Sequence, residues 1–381
     1  MLLEPSAEDT AILDSFQRYL DRHVAPLATN LGEAPPTKAQ AHEFFRGLSE
    51  FGVGGLYTPV EHGGQGANNV LTARLIEALC RADGGLGGMA SIQDGTTGVF
   101  ARLASPALRE KYLPRLLRGE LSICMAITEP NVGSNPRDVK TRARIDGDDL
   151  VLSGEKVWIS NADISDLAII VCKLDGAPGL ALILVDRAES GYTTSNFRKL
   201  GLNHWPTGGI VLNDLRVPKE NVLAAAGAGL EITLRAFERA RCFVGIISLG
   251  IAQAAFERSV EYSKQRIQWG KPIAGHQSIQ IKIAEMAVDI DAARLLVYRG
   301  LALLDQGARC DTQTAMAKWY ASEMGVRVTH RAVDIMGAYG LSEDDPMPRL
   351  FRDARVMTIP DGTSDIQRLL IARNITGISA Y

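Results

Sequence analysis

Leu167-Ala168-Ile169-Ile170-Val171-Cys172-Lys173-Leu174-Asp175-Gly176-Ala177-Pro178-Gly179-Leu180-Ala181-Leu182-Ile183-Leu184-Val185 is the stretch that divides the chain. Two short β-rich apolar runs are parted here by turn residues, whereas the sequence on both sides follows helical spacing. Working outward, similar short runs fill about 122–223, and Asp146-Gly147 sits where a tight hairpin turns. From Ala7 to about Leu121 apolar residues recur with a helical period, interrupted by Gly-rich breaks at Glu61-His62-Gly63-Gly64 and Gly84-Gly85-Leu86-Gly87-Gly88.

After Gly227 the helical period returns. Ile279, Ile283, Met286, Ile290, Ala293 and Val297 draw a narrow stripe along one long helix, a pattern that wants a partner. Intrachain core takes most of such a stripe, and an oligomer interface takes the remainder. Helices, then strands, then helices give an α+β chain that is mainly α, with expected domains at 1–121, 122–225 and 226–381.

The 381 residues suffice for more than one core, and 46% hydrophobic with 22% charged residues is the balance of a globular enzyme. A formal net charge of -3 gives no basic field for nucleic acid or anionic lipid, so an anionic ligand must be met by a few local donors. Cys80, Cys124, Cys172, Cys242 and Cys310 are scattered, which argues against a disulfide framework and a metal site. No signal peptide is legible and no continuous apolar run approaches a membrane span, so the expected location is cytoplasmic.

Three segments carry chemistry. Met125-Ala126-Ile127-Thr128-Glu129-Pro130-Asn131-Val132-Gly133-Ser134-Asn135 reads as a strand entering a polar turn. Its hydroxyls and free N–H groups suit a heteroaromatic edge or a phosphate, and equally a turn capped by Thr128 and Ser134 themselves. Lys156-Val157-Trp158-Ile159-Ser160-Asn161 sets a flat indole beside a small hydroxyl, as a stacked flavin requires, although an isolated Trp is more often core. Pro360-Asp361-Gly362 places a carboxylate in a break between two helical stretches, where functional side chains are often presented.

Together these segments resemble the acyl-CoA dehydrogenase family. Thr128-Glu129-Pro130 with Gly133-Ser134, Trp158-Ile159-Ser160-Asn161, Arg266-Ile267-Gln268-Trp269-Gly270-Lys271-Pro272-Ile273 with His276-Gln277, Asp361-Gly362-Thr363-Ser364 and Ile371-Ala372-Arg373 stand in the family's order and span nearly the whole chain. The resemblance implies an N-terminal helical domain, a middle β-barrel-like domain, a C-terminal four-helix bundle and non-covalent FAD. It implies that Met125, Ile127, Thr128, Trp158 and Ser160 surround the isoalloxazine ring, and that Thr363 and Asp365 contact the adenine half. By the same likeness Arg266, Gln277 and the turn from Asp334 to Gly337 complete the site of a neighbouring subunit. Ser134, Glu238, Arg241 and Gly362 resemble contacts to an acyl-CoA or acyl-carrier-protein thioester. A homo-oligomer, dimer or tetramer, and an electron-transfer flavoprotein as acceptor are the implied partners.

The chain departs from the family at its base. A glutamate is usual where Asp361 stands, and a tyrosine is common at Pro360; the shorter side chain retracts the carboxylate by roughly 1.5 Å. The alternative base position used by some relatives is Ala240, which leaves Asp361 as the expected base. Asp94, in Ser91-Ile92-Gln93-Asp94-Gly95, is a further candidate, against the plainer reading of a salt-bridged Asp. At His204-Trp205-Pro206-Thr207 the family more often has Ser-x-Thr, so Trp205 either reshapes the carrier edge or packs. The expected function is α,β-dehydrogenation of a branched, cyclic or otherwise non-standard acyl thioester. The alternatives are a flavin oxidase of the acyl-CoA or nitroalkane oxidase type and a catalytically idle FAD-binding protein.

Overall fold

The computed structural model describes residues 5–380. The N-terminal helices are α1 (Ala7–Tyr19), α2 (Ala25–Leu31), α3 (Lys38–Ser49), α4 (Asn69–Ala82), α5 (Gly84–Leu103) and α6 (Pro106–Leu117). Local chemistry starts them: Ser6 with Asp9, and Thr37 with Gln40, form reciprocal capping boxes that satisfy the first free N–H groups of α1 and α3.

Gly84–Gly88 corrects the sequence reading, because it is the opening of α5 and not a break. A Cβ at Gly84, Gly85, Gly87 or Gly88 would meet Ile251, His204, Cys80 or Trp205 within 2.8 Å. These glycines are selected for close packing on every side of the helix, and that contact outweighs their poor helix propensity.

The middle strands are β1 (Ile123–Ala126), β2 (Arg142–Asp146), β3 (Asp149–Ser160), β4 (Leu167–Leu174), β5 (Leu180–Asp186), β6 (Thr193–Asn196), β7 (Thr207–Pro218) and β8 (Val222–Ala224), with a short α7 (Arg187–Ser190) after β5. They form one sheet in the order β6-β7-β3-β2-β4-β5-β8, with β1 pairing in parallel to β4. The expected hairpin turns at Gly147, whose φ is +62°.

The apolar runs that divided the sequence are explained by position. Leu167, Ile169 and Val171 of β4 join a core with Tyr112, Leu113 and Leu116 of α6, while Ala168, Ile170 and Cys172 face a second core on the other side of the sheet. A strand covered on both faces loses the polar alternation of a half-buried one.

The C-terminal part holds α8 (Ala228–Gln265), a small hairpin of β9 (Ile267–Gln268) and β10 (Lys271–Pro272), α9 (Gln277–Asp305), α10 (Asp311–Met336), α11 (Met347–Val356) and α12 (Ser364–Thr376). α8, α9 and α10 pack on one another, and α11 and α12 pack against α10, forming the expected C-terminal helical domain. Met286, Ile290, Ala293 and Val297 are buried and Ile279 and Ile283 pack against the same core, so the predicted stripe is core-facing. A second apolar row on α9, Ile281, Val288 and Leu295, is 50–69% exposed. Against the expectation that nothing approaches a membrane span, α8 could cross one by length and composition, yet 67% of its apolar window is buried inside the fold.

Candidate active site

The predicted residues fall into three groups by the elements that carry them. The first is at the edge of the sheet. Thr128 to Gly133, Val157, Trp158 and Asn196 to Arg198 line an open groove of about 840 Å³. Trp158 presents its indole there, 60% exposed and edge-on to Phe197 with ring centroids 5.1 Å apart. The pairing of β3 with β7 slips between Lys156 and Ile159, and Trp158 takes the left-handed φ of +58°. That conformation costs a bulky residue on the order of 1–3 kcal/mol, which the long ladder on either side offsets.

Beneath the groove lies a charged pair the sequence reading missed. Lys156 Nζ donates to Glu129 Oε1 at 2.8 Å, to Ile127 O at 3.0 Å and to Val171 O at 2.7 Å. Glu129 also accepts from the Lys140 and Thr141 amides and from Thr141 Oγ1 at 2.6–2.9 Å. Burial opposes ionisation of Glu129, but these donors together hold it below the usual carboxylate range; Lys156 is pulled down, burial outweighing its partner. Every strong donor and acceptor of the pair is engaged, so the turn that carries Thr128 is fixed from below. Met125 and Ile127 are half-buried against the sheet core, Ser160 lies at the β3 end opposite Thr207, and Ser134 is exposed just beyond the groove lining.

The second group surrounds Asp361. It sits between α11 and α12 with φ +53°, followed by Gly362 at +95°, and Gln367 Nε2 donates to both of their carbonyls at 3.0 and 3.1 Å. Burial raises the Asp361 carboxyl, against the charges of Lys318 and then Arg241. Burial lowers Arg241, which feels Asp311, Asp361 and Glu238, and its Nε has no hydrogen-bond partner among the described residues. Glu238 is pushed up to about 7, first by burial and then by its hydrogen bond with Asp311. Thr363 is the N-cap of α12, accepting from the Ile366 amide at 3.4 Å, and Asp365 pairs with Arg368 at 2.7 Å. Lys318, Glu323 and Asp311 escaped the sequence reading; a lysine and carboxylates on a helix read as solvated surface until the partner elements are known.

The third group lies at the far end of the helices. Arg266 ends α8, Gln277 begins α9, and Asp334, held by Lys282 at 2.7 Å, precedes Gly337 at the end of α10. Between Lys318 and Asp334 the helix rises about 24 Å, so these residues and Asp361 do not converge on one small site within the chain.

Asp94, on α5, is engaged by backbone amides and by Arg239 of α8. Its Oδ1 accepts from the Leu56 amide at 2.8 Å and from Gly54 and Tyr57 at 3.3–3.4 Å, and its Oδ2 stands 3.6 Å from Arg239. The plainer sequence reading, a salt-bridged Asp, describes this geometry. Ala240 offers no base, and Trp205 is buried, stacked over Gly88 of α5, so it packs.

The chain matches the acyl-CoA dehydrogenase N-terminal domain over residues 6–120, the middle domain over 124–215 and the C-terminal domain over 227–376. It belongs to the acyl-CoA dehydrogenase family. It is 34% identical over 362 residues to a 3-(aryl)acrylate reductase of Clostridium sporogenes, covering 94% of this chain and 95% of that one. To the cyclohex-1-ene-1-carbonyl-CoA dehydrogenase of Syntrophus aciditrophicus it is 33% identical, covering 98% and 91%. A glutaryl-coenzyme A dehydrogenase solved with glutaryl-CoA superposes with a TM-score of 0.93 at 31% identity, covering 98% and 96%.

Acyl-CoA dehydrogenases are flavin oxidoreductases acting on CH–CH bonds, and structural neighbours include complexes with FAD and FADH2. FAD is the cofactor of this chain. The groove fits it: an exposed indole, a threonine and a tethered polar turn meet at an opening large enough for a ring system.

Proposed function

We propose that this enzyme removes the α proton of an acyl thioester with Asp361, and that its acyl group is cyclic, aryl or branched. The observation that carries the reading is Asp361 itself: a half-buried carboxylate presented by a left-handed turn, in the field of two cations, where a residue one methylene longer is the family habit. Desaturation takes a proton from one carbon and an electron pair with its hydrogen from the next. FAD, when bound, supplies the two-electron acceptor. The chain supplies the base, the cations that favour its ionised form against burial, and the walls that fix the thioester between them.

Trp158 and Thr128 would hold the ring system, with Met125, Ile127 and Ser160 behind them, and Thr363 and Asp365 would contact the adenine half. Ser134, Glu238, Arg241 and Gly362 would hold the thioester carrier, and the unpartnered Nε of Arg241 supports that role. Arg266, Gln277, Asp334 and Gly337 would serve a neighbouring subunit, in keeping with their distance from Asp361 and with the exposed apolar row on α9. An electron-transfer flavoprotein is the proposed acceptor.

A carboxylate set back by roughly 1.5 Å needs a substrate that approaches closer, and Pro360 leaves room for one. The aryl and cyclohexenyl substrates for which two relatives are named agree with such a group. The test is anaerobic bleaching of the bound flavin by linear, branched, cyclic and aryl acyl-CoA thioesters. Ring or branched substrates are expected to reduce it fastest; equal or faster reduction by linear medium-chain thioesters would overturn the substrate reading.

A further inference from the structure

Helix α10 grips the base turn from both sides. Ahead of it, Lys318, which is 0% exposed, donates from Nζ to the Thr358 carbonyl at 2.9 Å. Behind it, Glu323 accepts from Ser364 Oγ at 2.5 Å, at the first residue of α12. A buried ammonium is a costly way to hold one carbonyl, since a neutral amide would do so without desolvating a charge. Thr358 O is its one hydrogen-bond acceptor among the described residues. The charge has another object in view: Asp361 is the carboxylate that acts on Lys318 most, ahead of Glu323.

We infer that Lys318 is a positioning residue for the reaction: its buried ammonium pins the turn that presents Asp361 and sets a cation near that carboxylate. This rests on the reading of Asp361 as base. The charged groups around that carboxylate come from two helices. Lys318 faces it from α10 and Arg241 from α8. Arg241 is divided among Asp311, Asp361 and Glu238, whereas Lys318 is divided between Asp361 and Glu323, with Arg241 repelling it. Of the two cations, Lys318 acts on Asp361 more strongly. Removing a cation makes an anion harder to form, so loss of Lys318 moves ionisation of Asp361 to higher pH.

Three variants separate charge from tether. Lys318→Met loses both, Lys318→Gln keeps a donor for Thr358 O, and Lys318→Arg keeps the charge. In the holoenzyme, the acid limb of flavin bleaching by a saturating acyl-CoA should move up by about 1–3 pH units in Met and Gln and stay in place in Arg. In the apoprotein, amide exchange of the 357–366 peptide, followed by mass spectrometry, should quicken in Met and less in Gln. Neutral variants with the parental acid limb and parental exchange would overturn the inference. Asp361→Asn separates the two ideas. If it is inert while the neutral Lys318 variants keep the parental limb, only the role of Lys318 fails; if it bleaches at the parental rate, the base reading fails.

Discussion

Asp361 occupies a backbone conformation that admits few side chains. Aspartate and asparagine tolerate φ near +53° better than most residues, and Gly362 at +95° lets the chain leave the turn at once. Asparagine at 361 thus keeps the fold while removing the base, and turnover should fall about 10²–10⁴-fold. Glutamate at 361 restores the family's reach. Asp361→Glu is expected to slow ring or branched thioesters and to gain on linear ones, a crossover read from stopped-flow flavin reduction with both classes. Because burial raises the carboxyl above its ordinary value of 3.8, the reductive rate should disappear as pH falls through that raised value and hold above it. A rate independent of pH on the acid side would point to another base.

At the scale of elements, much was legible. The alternation of helical and β-rich segments, the hairpin at Asp146-Gly147, the core stripe on α9 and the Asp361 turn all follow from local periodicity and turn chemistry. The opening of α5 was not, because glycine in a helix looks like a break until the neighbours that demand it are known. The Lys156–Glu129 pair was equally hidden: one partner lies on β3 and the other in the turn after β1, and no spacing in the sequence marks a lysine as buried. Breaking a buried pair by removing one partner leaves an uncompensated charge, at about 3–5 kcal/mol. Lys156→Met should lower stability to urea by that amount and, by freeing the Thr128 turn, reduce the FAD retained after gel filtration. Lys156→Met with Glu129→Met together should recover part of the stability.

Across the whole molecule, the helical and β parts are joined by charge as well as by packing. His204, in the segment before β7, has Nδ1 2.9 Å from Asp83 and Nε2 2.8 Å from the Gly32 carbonyl, and Arg349 of α11 reaches Asp83 at 3.3 Å. Burial opposes ionisation of Asp83, but the hydrogen bond and charge of His204, followed by Arg349 and the Leu86 amide, hold it below its usual range. A carboxylate and a carbonyl can only accept, so both ring nitrogens donate and His204 is an imidazolium. Burial pulls its pKa down, yet the Asp83 bond and charge outweigh this and raise it above 6.5. A raised folded value fixes the sign: the stabilisation is complete below about 6.5 and fades as pH climbs through the folded pKa. Asp83, with a depressed value, contributes above about 3.8 and loses its share as pH falls. Thermal unfolding should therefore show greatest stability between these limits and a decline on the alkaline side. His204→Gln should lower the maximum by about 1–3 kcal/mol and flatten that decline. If the variant keeps the parental alkaline slope, the loss arises elsewhere and the three-part junction is not held by this proton.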